Sequence, residues 1–174
     1  MCGRMNSNVS MVSGKNSPMP LEDMLRDPAS LKTILRECAA SISIFDIMRI
    51  REFIERECAH VPRGYREAYI KTYTGIAVEA VLALKGGVGD ITADRKSLLR
   101  TLKRLYDTSS PLIVVLTVIY RNFILSEPLH PVGTPFPGGY SVTEEHGTYY
   151  CPVKDKQKDN PSALCDICIA EQTP

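Results

Sequence analysis

A chain of 174 residues is long enough to bury a core in one domain with an appendage. Its 21 Lys and Arg stand against 20 Asp and Glu, so no whole-molecule field draws it to nucleic acid, a membrane surface or an acidic substrate. The most apolar run, 112–125, is broken by Thr117, Arg121 and Asn122 and is shorter than the roughly 20 residues of a spanning helix, which argues against a membrane protein.

Residues 1–17 mix Ser, Asn, Gly, Lys and Arg with isolated Met and Val. They lack the apolar stretch of a signal peptide, and the composition predicts a flexible tail. Six cysteines without such a signal fit reduced thiols in a cytoplasmic protein better than a disulfide framework.

The helical body is expected over 18–127. After Pro18 and Pro20, residues 21–26 offer a short, weak helical segment. Asp27-Pro28 then supplies an N-cap followed by proline at the first helical position, and Leu31, Ile34, Leu35 and Cys38 recur at helical spacing. These predict a helix over 28–40. The next helix is expected over 43–60, with Ile47, Ile50, Ile54 and Cys58 on one side and a Glu52–Arg56 surface pair on the other. Pro62 and Gly64 end it.

From 63 to 84 the spacing is helical again, with Tyr65, Tyr69 and Tyr73 in a row continued by Ile76, Ala80 and Leu84. Such tyrosines could line a binding wall, but tyrosine at core spacing more often packs with its hydroxyl at the wet edge. Asp90 or Thr92 can cap a further helix running to about Tyr106, with Leu98, Leu99, Leu102 and Leu105 inside. A last long helix is expected from Pro111 to before Pro128. Its Leu-Ile-Val-Val-Leu run could pass for a buried strand, but the apolar character persists to Leu125, longer than a usual strand. The fold class is therefore mainly α, a bundle of about five helices.

From Pro128 to Pro174 the composition changes. Residues 130–139, His-Pro-Val-Gly-Thr-Pro-Phe-Pro-Gly-Gly, suit neither a helix nor an interior strand. Residues 140–151 could form a hairpin about Glu145-His146-Gly147, residues 154–160 a charged connector, and the stretch after Pro161 a final short helix to Gln172. So few apolar residues cannot order this lobe unaided, given about 1 to 2 kcal/mol of ordering cost per residue. A structural zinc site can add about 10 to 16 kcal/mol, where a single disulfide supplies about 2 to 5.

The ligands for such a site are Cys151, Cys165 and Cys168, with one histidine. Two thiols separated by two residues can grip one ion from a single turn, and a third cysteine with an imidazole completes a tetrahedron. His130 and His146 both qualify as the fourth ligand, and Cys2 is a further alternative. Zinc ranks first, with an iron–sulfur cluster as the alternative on the same thiolates.

The blocks Leu129–Gly139, Tyr150–Gln157 and Asn160–Cys168 resemble the C-terminal signature of an uncharacterised archaeal family found mostly in methanogens. The resemblance covers about a quarter of the chain closely and implies a cytosolic, anaerobic setting in a methanogenic archaeon. It carries no established activity and therefore no catalytic residue. His130 and the three cysteines fall within the resembling blocks, which favours His130 over His146.

Other chemistry is less well supported. Glu57 and His60 have the i, i+3 spacing of half a di-iron site, but a bundle site needs a second such pair. Gly86-Gly87-Val88-Gly89 lacks the Lys-Ser/Thr of a phosphate loop. The reading is a helical protein with a metal-held C-terminal lobe, binding a protein partner as an accessory or regulatory factor without evident enzyme activity. An iron–sulfur or thiol redox protein is the second reading. A nucleic-acid binder using Lys96, Arg100, Lys103 and Arg104 with Lys154, Lys156 and Lys158 is the third.

Overall fold

The computed structural model describes residues 28–174 apart from 60, 92–93, 109 and 161–162. The expected tail, the 21–26 segment, Cys2 and His60 lie outside the described residues. No helix among those described is long and apolar enough to cross a membrane.

Five helices form the body. They are α1 (Pro28–Ser41), α2 (Ile44–Glu57), α3 (Arg63–Gly86), α4 (Arg95–Asp107) and α5 (Leu112–Ile119), which continues as a π-helical turn over Tyr120–Leu125. A capping box sets the start of α2: Ser43 Oγ accepts the Asp46 amide and Asp46 returns a bond to the Ser43 amide. The ion pairs along α2 join Arg51 to Glu55 and Arg49 to Asp46 rather than Glu52 to Arg56. At α4 the cap is Asp94, which accepts from the Ser97 amide, while Asp90 pairs with Lys32 of α1. The longest helix, α3, is central, packing against α1, α2 and α5.

The body's core is apolar stripe against apolar stripe. Leu35, Ala39, Ile50, Ile54, Val81, Leu84, Leu116 and Ile119 meet in one cluster, each fully or nearly fully buried. The 112–125 run is helical, as its length predicts, but its second half is not α. A helix that takes up one extra residue per turn can bury Arg121, Asn122 and Phe123 in succession, and all three are buried here. Ser126 ends the turn in the left-handed conformation, its amide donating back to Arg121.

The C-terminal lobe is a chain of short pairings. β1 (Pro135–Phe136) lies antiparallel to β2 (Tyr140–Ser141), and β3 (Thr143–Glu145) antiparallel to β4 (Thr148–Cys151). The expected hairpin turn is His146-Gly147, with φ of 53° and 82°, the left-handed pair that suits a two-residue connection. Gly138 and Gly139, with φ of 94° and 81°, take the left-handed conformations that favour glycine in the β1–β2 link.

Among the described residues, 163–172 do not form the final short helix expected to Gln172. Residues 165–167 form a turn, and β5 (Glu171–Gln172) adds to β4 in parallel, Cys151 opposite Gln172. A parallel partner needs a crossover, and this one carries a 3-10 turn (Asp155–Gln157) followed by the two cysteines. Ladder bonds with β4 thus replace helix at the C-terminal end. The lobe's own core is small: Phe136, Val142, Cys151 and Ala170 are buried together. It docks on the body through Leu129, Leu164, Ile167 and Cys168, which pack on Leu105 of α4 and Val118 of α5.

Candidate functional site: thiols and a histidine at the seam

The parallel β4–β5 pairing folds the crossover back toward the end of β4, which is how Cys165 and Cys168 come near Cys151. Cys151 and Cys168 pack in the same small cluster. Burial raises the Cys151 thiol above its ordinary pKa, and it pushes Cys165 up to about 11, with the neighbouring Cys151 and Cys168 adding to the rise at Cys165. Cys151 and Cys165 are thus each near enough to a neighbouring sulfur for it to oppose their ionisation.

Against that repulsion the chain aims positive groups at the sulfurs. The Lys154 charge favours the thiolate at both Cys151 and Cys165. The Leu129 amide donates to Cys168 Sγ at 3.4 Å. Lys154 Nζ donates to the carbonyls of Cys168, at 3.0 Å, and of Ala170. An amide donor on cysteine sulfur stabilises negative charge there.

His130 stands at the same seam but is held by the body. Its Nε2 lies 2.8 Å from Tyr73 Oη and 3.1 Å from Tyr69 Oη, both on α3. The tyrosine rings stack at 4.6 Å, and Phe136 of β1 meets the imidazole edge-on at 5.3 Å. Burial, with a smaller contribution from the Arg121 guanidinium, lowers the His130 pKa to about 4, so the ring is neutral at pH 7. Whichever ring nitrogen carries the proton, Nε2 is engaged by the tyrosines, and Nδ1 is the atom left for other work. Burial also drives both tyrosine hydroxyls well above their ordinary pKa, and their charged forms would feel Cys165 in each case. The aromatic and thiol groups therefore form one neighbourhood.

Among the described residues, no three His, Cys, Asp or Glu side chains converge closely enough to hold a metal ion as they stand. Thiols and an imidazole are donor types that suit a thiophilic ion, but as placed here they do not form a site for one. His146 stands exposed at the tip of the β3–β4 hairpin, away from the packed sulfurs.

Several participants escaped the sequence reading. Tyr69 and Tyr73 showed as a core row, without their histidine partner. Arg121 and Asn122 showed only as interruptions of an apolar run. In the structure Arg121 pairs with Glu127 at 2.8 Å and donates to the Pro128 carbonyl, and Asn122 Nδ2 donates to Ile167 O inside the cysteine turn at 2.6 Å. The basic face of α4 is partly spent internally, since Arg104 pairs with Asp166. Beside that pair lies a polar cleft of about 410 Å³ whose walls include Lys154 and Cys165.

Comparison with known proteins places the chain. A family model described as an uncharacterized protein conserved in archaea (DUF2115) matches residues 27–173. A UPF0305 protein of Methanothermobacter thermautotrophicus is 50% identical over 143 residues, covering 80% of this chain and 92% of its own. UPF0305 proteins of Methanocaldococcus jannaschii, 31% identical over 75% of this chain and 87% of their own, and of Methanococcus maripaludis, 30% identical over 79% and 91%, are also similar. No solved structure matches. With nearly the whole described chain inside the match, the protein belongs to this archaeal family, whose similar members come from methanogens.

Proposed function

We propose that a metal ion bound by the thiolates of Cys151, Cys165 and Cys168 closes the C-terminal lobe, with His130 offering Nδ1 as the candidate fourth donor, and that the protein serves as an accessory factor for a protein partner. The observation that supports the metal reading is the Leu129 N–H aimed at Cys168 Sγ at 3.4 Å, with Cys168 packed beside the buried Cys151. Such a donor suits sulfur that holds negative charge, as a metal-bound thiolate does. When bound, the ion would supply the cross-link that the four-residue lobe core lacks.

Zinc is the first choice for this donor set and an iron–sulfur cluster the second. Metal-free thiol redox chemistry has less support, since a reactive thiol needs a lowered pKa and burial raises Cys151 and Cys165. A nucleic-acid role has less support than the pattern of basic residues implies, because Arg104 and Lys154 are bound to groups within the protein. The partner half of the proposal rests on Ile44, Phe45 and Met48, neighbouring large apolar side chains at the start of α2 that remain more than half exposed.

Anaerobic purification with elemental analysis and a visible spectrum tests the metal. One zinc per chain in a colourless sample supports the first choice, and iron with sulfide in a brown one moves the reading to a cluster. A protein free of metal after growth and purification with both ions supplied would overturn it.

A further inference from the structure

We propose that Cys151 and Cys168 form a reversible disulfide, a modification site that ties the end of β4 to the lead-in of β5 when the protein meets a small disulfide oxidant such as oxidised glutathione. The inference goes beyond the metal reading and does not depend on it. Two thiols suffice for the bond, and the product is the protein's own chain, with no substrate turned over.

The fold brings this pair together. Cys151 closes β4 and is 5% exposed, and Cys168, half-buried, packs against the same small cluster. Residues 152–167 intervene between them, whereas two residues separate Cys165 from Cys168, so a chain without this lobe would close the shorter loop more readily. Bonds on either side keep the two arms side by side. Cys151 lies opposite Gln172, the Thr173 amide donates to the Cys151 carbonyl at 3.2 Å, and Lys154 Nζ donates to the Cys168 carbonyl at 3.0 Å.

The two sulfurs have different surroundings. Cys168 is open enough to meet an oxidant and takes the Leu129 N–H at 3.4 Å, a contact that suits charged sulfur, whereas Cys151 is closed off. Cys168 is therefore the attacking sulfur and Cys151 the resolving one. Attack by the Cys168 thiolate breaks the S–S bond of the oxidant and releases one thiolate. Cys151 then attacks the Cys168 sulfur of the mixed disulfide, and the second thiolate leaves. The protons of the two cysteines end on the two released thiols, and the electron pair lost by the cysteines reduces the oxidant. The new bond closes the 152–167 crossover into a loop, which restricts the ways the lobe can open.

The test uses the full chain, reduced and freed of metal, then held in oxidised glutathione, alkylated and mapped by proteolysis and mass spectrometry. Native protein should give a Cys151–Cys168 cross-link with Cys165 alkylated, and Cys165→Ser should keep the link. With Cys165 already replaced by serine, Cys151→Ser should leave glutathione attached to Cys168, whereas Cys168→Ser should leave Cys151 unmodified. Oxidation should also slow amide exchange at Tyr150 and Gln172 by about tenfold, as expected when the open lobe is restricted. A native link from Cys165 to either partner, or three alkylated thiols after prolonged oxidation, would overturn the proposal. Glutathione on Cys151 in the Cys168→Ser protein would overturn the order of attack. Ion binding enters none of these outcomes, so the metal reading stands or falls by its own assay.

Discussion

The body and the lobe are ordered by different means. Seventeen buried residues make one apolar cluster across the helices, whereas the lobe's own cluster has four. Hydrophobic burial is non-directional and scales with area, so the body tolerates changes in detail as long as its stripes meet. The lobe instead depends on individual bonds: two short antiparallel pairings, a parallel strand of two residues, and polar groups such as Lys154 and Asn122 reaching across to named carbonyls. Losing one such bond removes a large share of what the lobe has.

The largest break follows from that contrast. On the metal reading proposed above, replacing Cys151 and Cys168 together by serine, or treating the protein with a chelator, should unfasten the lobe while sparing the body. A structural zinc site is worth about 10 to 16 kcal/mol of apparent binding energy, more than so small a core replaces. Hydrogen exchange reads it directly: amides of β3, β4 and β5 should lose protection and those of α3 should keep it. Equal loss in both regions would show one cooperative unit and end the comparison.

Next in size is a cavity in the body. Leu116, on α5, is 1% exposed and sits among Leu84, Ile113 and Ile119 in the main cluster. Leu116→Ala should cost about 2 to 5 kcal/mol, measured as a lowered midpoint in denaturant with an unchanged slope. A cost below about 1 kcal/mol would mean that the cluster is less tightly packed than native interiors are.

The same contrast explains what could be read from the sequence. Apolar residues at helical spacing announce α1, α2 and α3 within a few residues of their ends, because period and burial are both local. The His146-Gly147 turn was equally legible. The parallel strand Glu171–Gln172 was not: two polar residues carry no strand pattern, and only the β4 edge makes them one. The π-turn was hidden for a related reason, since Asn122 is held by Ile167, distant in sequence, and Arg121 by Glu127 and Pro128 just beyond the turn, rather than by their own character. At the site, the cysteines were visible by spacing, but the Tyr69–Tyr73–His130 contact spans about sixty residues and leaves no mark in either segment.

That contact gives a third, smaller prediction, placed at the boundary between the regions. Tyr73→Phe removes the nearer of the two hydroxyls on His130 Nε2, at 2.8 Å, while Tyr69 Oη stays at 3.1 Å, and should loosen lobe docking by about 0.5 to 1.5 kcal/mol, the net worth of one hydrogen bond. Acid loosens the same seam by another route. The folded pKa near 4 lies below the ordinary 6.5, so the unfolded chain takes the proton first. The contribution is complete above about pH 6.5 and is lost as pH falls toward 4. Seam amides should lose protection across that window in wild type and less so in His130→Phe, and identical profiles would show that the imidazole does not govern docking.

The smallest effect sharpens the comparison from the body's side. Ser43 joins no seam and touches no lobe residue in its hydrogen bonds: its Oγ accepts the Asp46 amide at 3.3 Å and donates to Asp46 Oδ2 at 2.6 Å, and its own amide donates to that oxygen at 2.9 Å. Ser43→Ala should cost about 1 kcal/mol, the usual worth of an N-cap, by leaving an end amide of α2 without its partner. Because the Ser43 bonds hold the Asp46 carboxyl below its ordinary pKa, the same substitution should let that pKa rise toward 3.8, visible in the side-chain carboxyl shift on titration. The lobe should register nothing. Exchange at Tyr150 or Gln172 that quickened in Ser43→Ala would mean that the start of α2 supports the lobe through the length of α3, and that two regions ordered by different forces nonetheless share one stability.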